Sequence, residues 1–364
     1  MARIARGLIV NSDAMEMGRG VRMQIRRGLI VVAALVGAVA AATGASASTT
    51  SQQKVTSVII ATPAKSSDYG WNQRGIQGAS AAAKGAGASF SEVTNLGYDN
   101  TENVLRQLSN KKPGLLIAHA SGWDPIAARL AQQTGIPTIT YDNPKLLVKG
   151  KVGVITTSSQ QGGYLAGILA AKQTKSGTVG VVISAADPNW YKMAGGFAAG
   201  VRSVSPTDKI VFATVGPASY DDAAAGKRVA TSVIAAGADV IFGMGDGASL
   251  GYVQAIETAK KKVWYIGDIG NIAPIDKKGI QLSSVLWSFA GAYKQAISDI
   301  NSGKFGTSAY DLTLKNGGIA LLKTKYIPAS TWALIAKAQS GILSGSVKVP
   351  LTETKGAVDK LVKS

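Results

Sequence analysis

The 364-residue sequence contains no cysteine and a single histidine, His119. The absence of cysteine excludes disulfides, thiolate nucleophiles, iron–sulfur clusters and cysteine-based zinc sites. One imidazole leaves little room for a Ser-His-Asp triad or a His-rich metal site, since both need histidine in a defined constellation. We therefore expect no catalytic activity, no cofactor and no bound metal, and we expect His119 to be a buried imidazole with its hydrogen bonds satisfied.

Charged residues are scarce, at 16% of the chain against 46% apolar residues, a balance typical of globular proteins. The length allows two domains, each able to bury a core without staples. Acidic residues number 21 against 39 basic ones, so the formal net charge is +18. The lysines are scattered without interleaved aromatic residues, which predicts a solvated basic surface rather than a nucleic-acid site.

A hydrophobic run near the N-terminus is too short to span a bilayer. Arg26 and Arg27 precede an apolar run at residues 28–42, and an A-x-A triplet that ends at Ala47 follows it. The run is shorter than the ~20 residues that a spanning helix needs. A basic start, a short apolar run and small residues at a cleavage site are typical of a secretory signal. We predict a signal peptide at residues 1–47, and an uncleaved anchor is the alternative.

Cleavage near Ala47 would leave a secreted, extracytoplasmic protein. Residues 1–47 contain six arginines and two acidic residues, so the mature chain would keep a net charge of +14. With no cysteine, a lipid anchor on that residue is excluded. Met23 stands directly before the basic pair and is an alternative start to Met1.

Short β-branched runs alternate with alanine-rich amphipathic stretches through the rest of the chain. This alternation predicts parallel sheets with helices on both faces. We predict ten strands and eight helices in two doubly wound α/β lobes joined by several crossing segments. The first lobe is expected at residues 48–145 with a returning segment at 285–320. The second is expected at 146–284 with part of 321–364.

The residues directly after each predicted strand are the candidates for function. Ligands of open α/β sheets bind beyond the carboxyl ends of the strands, and two such lobes can face each other across a cleft. Asp68, Trp71 and Asn72 follow the first strand, where an aspartate and an indole share one turn. The alternative for these three is structural: Asp68 or Asn72 caps the next helix and Trp71 fills the core.

The same pairing of indoles and acids recurs after later strands. The further candidates of this kind are Trp123, Asp124, Asp142, Trp190, Asp246, Asp268 and Trp287. Indoles stack on flat rings, and carboxylates accept hydrogen bonds from ring N–H, amino or hydroxyl groups. We therefore predict a cleft for a heteroaromatic base, a nucleoside or a sugar. A GxGxxA match at residues 243–248 also fits a dinucleotide fingerprint, but only weakly, and we expect no nicotinamide cofactor.

Six segments together carry a more specific pattern. They are SDYGWNQRGIQGA (67–79), QGGYLAGILAAKQTKSGTVGVV (161–182), GGFAAGVRSVSP (195–206), GDGASLGYVQAIETA (245–259), VWYIGDIGN (263–271) and SSVLWSFAGAYKQAISDINSGKFG (283–306). They resemble the basic membrane protein family of ABC-transporter substrate-binding proteins, a group that includes purine nucleoside receptors. The resemblance extends over essentially the whole chain after the signal peptide.

This resemblance implies a type I periplasmic-binding fold that captures a purine base or nucleoside and delivers it to a membrane permease. It implies that Asp68 and Trp71 are the acid and the stacking aromatic of a first loop. Trp123 and Asp124 resemble the corresponding pair of a second loop, and Asp246 and Asp268 resemble polar contacts from the second lobe. Some family members carry a ribose-contacting lysine at the position of Trp287, so the tryptophan favours a free base.

The sequence thus predicts a monomeric receptor for a purine base or nucleoside that serves an ABC permease. A receptor for a sugar or another small solute is the first alternative. A nucleoside hydrolase is the second, although the chain lacks the run of aspartates near its first strand that metal or general-base chemistry would need. A role in protein interaction alone is the third.

Overall fold

The computed structural model describes residues 54–364, so the predicted signal peptide lies outside the described residues. The strands are β1 Ser57–Ala61, β2 Ser89–Val93, β3 Leu115–Ala118, β4 Thr138–Tyr141, β5 Val152–Thr157, β6 Thr178–Ile183, β7 Lys209–Thr214, β8 Val240–Met244, β9 Trp264–Ile269, β10 Gln281–Trp287, β11 Tyr310–Leu312 and β12 Ile319–Leu321. The α-helices are α1 Trp71–Ala86, α2 Thr101–Asn110, α3 Asp124–Thr134, α4 Ser159–Gln173, α5 Pro188–Val204, α6 Ala223–Ala235, α7 Ala248–Glu257, α8 Ala290–Asn301, α9 Ala329–Ser344 and α10 Lys355–Lys363.

The strands form two six-stranded sheets, one in each lobe. The first has the order β11-β5-β4-β3-β1-β2 and is parallel throughout, and the second has the order β12-β10-β9-β8-β6-β7 with only its edge strand β12 antiparallel. Central strands such as β3 and β6 are buried along their whole length because helices cover both faces. The two doubly wound parallel-sheet lobes confirm the predicted fold class.

Helices α4 and α5 pack at unusually close range inside the second lobe. A Cβ atom at Gly163 of α4 would overlap the carbonyl of Met193, and one at Gly167 would overlap the carbonyl of Phe197. Only glycine permits two helix backbones to approach this closely. The glycine-rich pattern of residues 161–167 and 195–200 is therefore explained by helix packing rather than by a ligand.

Three segments cross between the lobes: residues 157–159 from β5 to α4, residues 287–290 from β10 to α8, and residues 312–319 from β11 to β12. The expected boundary at residue 145 is too early, because β5 pairs with β4 and β11 and so belongs to the first sheet. The cause is a loop at residues 142–151 that stays in the first lobe.

All ten predicted strands and all eight predicted helices are present within a few residues of their expected bounds. Strands β11 and β12 and helices α9 and α10 are present in addition to the predicted elements. The last two helices pack on the second lobe, α9 against α4 and α10 against α5. Among the residues that the structure describes, no helix is both long and apolar enough to cross a membrane.

Candidate functional site

A cleft between the lobes is lined by residues that follow the carboxyl ends of the strands. Its enclosed part, which we call the inner slot, has a volume of about 70 Å³. Five aromatic side chains line the inner slot: Trp71 and Tyr98 from the first lobe, and Trp190 of α5, Tyr220 of the loop after β7 and Trp287 of β10 from the second. Three of the four tryptophans predicted for the site therefore share one void.

Trp71 is held in a fixed orientation at the floor of the inner slot. Its indole stacks on the imidazole of His119 with ring centroids 4.3 Å apart and an angle of 18° between the planes. The indole Nε1 donates to the main-chain oxygen of His119 over 2.9 Å. Phe289 and Tyr141 meet the same indole edge-on, at 5.2 and 5.0 Å. These contacts fix the indole in one orientation.

His119 is fully buried and belongs to a network without formal charge. Its Nε2 lies 2.9 Å from the carbonyl oxygen of Trp71, which can only accept, so Nε2 carries the proton. Nδ1 then accepts from the hydroxyl group of Tyr141 at 2.5 Å, and that hydroxyl in turn accepts from Tyr293 at 2.6 Å. Burial lowers the pKa of His119 to about 3, which keeps the imidazole neutral. The expectation of a satisfied core histidine is met.

Asp68 and Asn72 do not line the inner slot. Asp68 is buried, and its carboxylate accepts from the main-chain N–H groups of Gly70, Asn72 and Gln73 over 2.8–3.0 Å. These bonds satisfy orphan donors at the start of α1. Asp68 also accepts from the Asn72 amide at 2.7 Å. These contacts match the alternative in which Asp68 caps the helix that follows it.

Trp123 and Asp124 also lie outside the inner slot, contrary to their expected role. The chain makes a short 3₁₀ turn after β3 that directs Trp123 into the first lobe's own core, where its side chain is 1% exposed beside Leu105 and Leu130. Asp124 accepts from the main-chain N–H of Tyr141 at 3.1 Å. Burial, with a smaller contribution from the charge of Asp142, raises the pKa of Asp124 to about 8.

Asp142 connects the lobes. It adopts a left-handed backbone conformation, with φ of 57°, directly after β4. One carboxylate oxygen accepts from Ser121 at 2.6 Å and the other accepts from the Asn189 amide of the second lobe at 2.9 Å. Asn189 in turn accepts from Thr157 at 2.6 Å. Asp142 therefore does not line the inner slot itself but holds the side chain of Asn189, which does.

Asp246 lines the inner slot and also bridges the two lobes. Its Oδ1 accepts from the main-chain N–H of Trp71 at 3.2 Å. Burial and, to a smaller degree, the charges of Asp68, Asp268 and Asp221 raise the pKa of Asp246 well above its ordinary value. The protein therefore holds this carboxyl in an environment that disfavours its charge.

Asp268 lies behind the slot wall, in the interior of the second lobe. Its Oδ1 accepts weakly from the N–H of Gly245 at 3.4 Å, and Oδ2 has no hydrogen-bond partner within residues 54–364. Burial raises the pKa of Asp268 well above its ordinary value. Ile269, the next residue, is the one that reaches the slot.

Trp190 and Trp287 line the inner slot from the second lobe. The ring of Trp190 lies 5.0 Å from that of Tyr220, and Trp287 meets Trp71 edge-on at 6.1 Å. Trp287 is 1% exposed, and its Nε1 has no hydrogen-bond partner in the described part of the chain. A buried N–H without a partner is costly.

Sequence reasoning missed three slot residues with chemistry of their own: Tyr98, Asp187 and Tyr220. Asp187 comes directly before α5, and the same rule of residues after strands could have found it. Burial, followed by the charge of Asp142, raises the pKa of Asp187 to about 6. Tyr98 and Tyr220 sit in loops five and six residues beyond β2 and β7, where the distance from the strand obscured the signal.

The inner slot opens into a second space, which we call the outer chamber. The two share Pro63, Tyr98, Tyr220 and Asp246. Further lining comes from Asn72, Asp221 and Asp222. The outer chamber has a volume of about 460 Å³ and contains groups from both lobes. A ligand can therefore reach from the enclosed slot toward the mouth of the cleft.

The lobes touch closely beside the slot. A Cβ atom at Gly270 of the second lobe would overlap the main-chain carbonyl of Tyr69 in the first. Together with the hydrogen bonds from Trp71 to Asp246 and from Asn189 to Asp142, this contact holds the lobes in a closed arrangement. Within residues 54–364, no group of three or more histidine, aspartate or glutamate side chains is arranged to hold a metal ion.

The protein resembles known solute-binding proteins in both sequence and structure. Residues 55–353 match the Bmp family model, described as ABC transporter substrate-binding protein PnrA-like. The ABC transporter nucleoside-binding protein BmpA of Lactococcus lactis is 26% identical over 284 residues, which cover 73% of this chain and 79% of that relative.

Solved structures show the same fold at lower identity. An ABC transporter solute-binding protein from Aeropyrum pernix is 21% identical with a TM-score of 0.72, over 85% of this chain and 96% of that one. AraP, an arabinose-binding protein from Geobacillus stearothermophilus, is 21% identical with a TM-score of 0.56, over 74% and 97% of the two chains. On the match that covers residues 55–353, the chain belongs to the PnrA-like Bmp family of ABC transporter substrate-binding proteins.

Proposed function

We propose that this substrate-binding protein captures a purine nucleobase or nucleoside between its lobes and delivers it to an ABC permease. The observation that carries the proposal is the convergence of three indoles, those of Trp71, Trp190 and Trp287, on one interlobe slot beside two carboxyl groups. Aromatic faces of this kind stack on a flat ring, each stack contributing about 0.5–1.5 kcal/mol beyond area burial.

The polar groups of the slot supply selectivity in this proposal. Asp187 and Asp246, which line the slot, accept from ring N–H or amino groups. A ligand without these groups leaves them unpaired, at a cost of about 1–3 kcal/mol each. The tryptophan at position 287 and the small slot favour a free base over a nucleoside. The nucleoside-binding relative from Lactococcus lactis supports the same ligand class.

Location outside the cytoplasm belongs to the same proposal. The signal-like residues 1–47 would direct export, after which the released protein meets its permease in the envelope. N-terminal sequencing of the secreted protein tests this part, and a mature chain that begins at Ser48 is the expected result.

Calorimetry with adenine, guanosine and ribose tests the ligand class. We expect a purine to bind and ribose to give no heat. Trp71→Ala should lose most of the affinity, whereas Trp332→Ala, which removes an indole of α9 outside the cleft, should not. Binding of ribose alone would contradict the proposal and favour a sugar receptor, since indoles also stack on pyranose faces and carboxylates accept from hydroxyl groups.

A further inference from the structure

The carboxyl groups of the cleft have no basic partner within residues 54–364. Asp187, Asp221, Asp222 and Asp246 line the inner slot or the outer chamber, and no lysine, arginine or histidine lines either space among the described residues. The four ion pairs between residues 54 and 364 all involve other acids. Arg74 donates to the carbonyl of Trp287 and to Gln77 rather than to a cleft carboxylate.

Every hydrogen bond that these acids receive comes from a neutral donor. Asp187 accepts from the N–H of Asn189 at 2.8 Å and from the Tyr220 hydroxyl at 3.3 Å. Asp221 accepts from the N–H of Gly247 at 3.0 Å. Neutral donors orient a carboxyl group but supply no opposite charge, so the ionised form of these acids has no counter-ion among residues 54–364, and a cationic ligand would supply one.

Aromatic rings surround the same space. A cation within about 6 Å of an indole or phenol ring is attracted by the negative face of the ring, and desolvation strengthens this attraction. Five such rings line the inner slot. Rings together with uncompensated carboxylates form an environment that stabilises positive charge and opposes negative charge.

Two residues that line the cleft also carry a buried polar atom without a partner. Trp287, whose side chain is 1% exposed, lines the inner slot, and its Nε1 has no partner among the described residues. Asn72, also 1% exposed, lines the outer chamber, and its Oδ1 lacks a partner in the same part of the chain.

We propose that the cleft selects flat heteroaromatic ligands that carry positive charge and rejects anionic ones such as phosphate esters. The inference rests on the proposed function only in placing the ligand between the lobes. It differs from that function in assigning the ligand's charge, and it holds for rings other than purines.

A matched set of non-purine rings tests the charge assignment separately from the purine assignment. The probes are 1-methylnicotinamide, nicotinamide and nicotinate, which are similar flat rings with charges of +1, 0 and −1 at neutral pH. Titrations with each are followed by tryptophan fluorescence. We expect the cation to bind at least tenfold more tightly than the neutral ring, and the anion to give no saturable change.

The double variant Asp187→Asn/Asp246→Asn removes both ionisable groups of the slot and keeps an oxygen acceptor at each position. It should reduce the preference for the cation over the neutral ring to less than threefold. Glu92→Gln, which removes an exposed acid of β2 outside the cleft, should leave the preference unchanged. Thermal unfolding of each variant checks that the fold is retained.

Adenosine, 5′-amino-5′-deoxyadenosine and adenosine 5′-monophosphate, measured in parallel, connect the two proposals. Tighter binding of the amine than of adenosine, with no binding of the phosphate, supports both. Binding of the cationic nicotinamide without any purine supports the charge assignment and overturns the purine proposal. Equal or tighter binding of neutral or anionic rings overturns the charge assignment, as does failure of every cationic probe, while purine binding still stands or falls on its own result.

Discussion

The two lobes contribute walls of opposite character to the cleft. The wall of the first lobe is uncharged, and its main feature is Trp71, fixed by the His119 network. Every carboxylate that lines the inner slot or the outer chamber comes from the second lobe, at residues 187, 221, 222 and 246. Aromatic rings face the slot from both lobes, so the carboxyl groups are what distinguish the second wall, and the charge recognition proposed above belongs to that lobe.

The largest expected effect comes from breaking the uncharged wall. His119→Leu removes the acceptor of the Tyr141 hydroxyl, to which Tyr293 is in turn bonded, and the donor to the Trp71 carbonyl. Because these groups are buried, we expect the free energy of unfolding to fall by about 2–4 kcal/mol. Urea denaturation measures this loss. Tyr293→Phe, which removes one hydroxyl and leaves the Tyr141–His119 bond, should cost about 1 kcal/mol.

The same variant also tests the division of labour between the walls. If the first lobe binds only the ring, His119→Leu should weaken cationic and neutral rings by the same factor, because Trp71 loses its orientation. A loss confined to cationic ligands would contradict the comparison, since it would place charge recognition on the uncharged wall. Titration of 1-methylnicotinamide and nicotinamide against the variant measures the two factors.

Disturbing the contact between the two walls at Gly270 should have the next largest effect, a loss of ligand affinity. In Gly270→Ala the added methyl group meets the backbone carbonyl of Tyr69, which cannot rotate away as a side chain could. Overpacking of this kind costs about 1–3 kcal/mol, so ligand affinity should fall roughly ten- to hundredfold while the separate lobes stay folded. Gly291→Ala is the matched control, since nothing lies within 4 Å of the added Cβ. Unchanged affinity in Gly270→Ala would show that the lobes close less tightly than the structure describes.

The sequence was sufficient for the fold because the signals were long and regular. Buried β-branched runs such as residues 178–183 alternate with amphipathic helices over most of the chain. Strands β11 and β12 have three residues each and carry no such pattern. Helix α9 buries only Thr331 and Ile335, so its apolar stripe is too weak to predict a packed helix.

The site was predicted in part, and the failures share one cause. The rule of residues after strands found Trp71, Trp190, Asp246 and Trp287, all of which line the inner slot. It could not exclude Trp123, because a 3₁₀ turn of three residues decides whether that indole faces the cleft or the core. The direction of a side chain after a strand depends on local turn geometry and on tertiary packing, neither of which has a sequence period.

The smallest expected effect is a change with pH in the unfolding free energy, and it reports the ionisation of Asp187 in the second wall. The raised pKa of Asp187, about 6, means that the folded protein keeps a proton that the unfolded chain loses near its ordinary value of 3.8. The contribution of this group to stability is therefore complete below pH 4 and is lost as the pH rises through 6. Asp187→Asn keeps the oxygen that accepts from Asn189 and cannot ionise.

The difference in unfolding free energy between this variant and the wild type should thus be near zero at pH 4. It should grow to about 1–2 kcal/mol in favour of the variant at pH 7, a value reduced from the full shift because the side chain is only partly buried. Urea denaturation across this range measures the difference and cancels the titration of Asp124, Asp246 and Asp268, which both proteins share. A difference that does not depend on pH would show that the carboxyl is already neutralised in the folded protein, and the second wall would then have no free charge at this position to offer a cation.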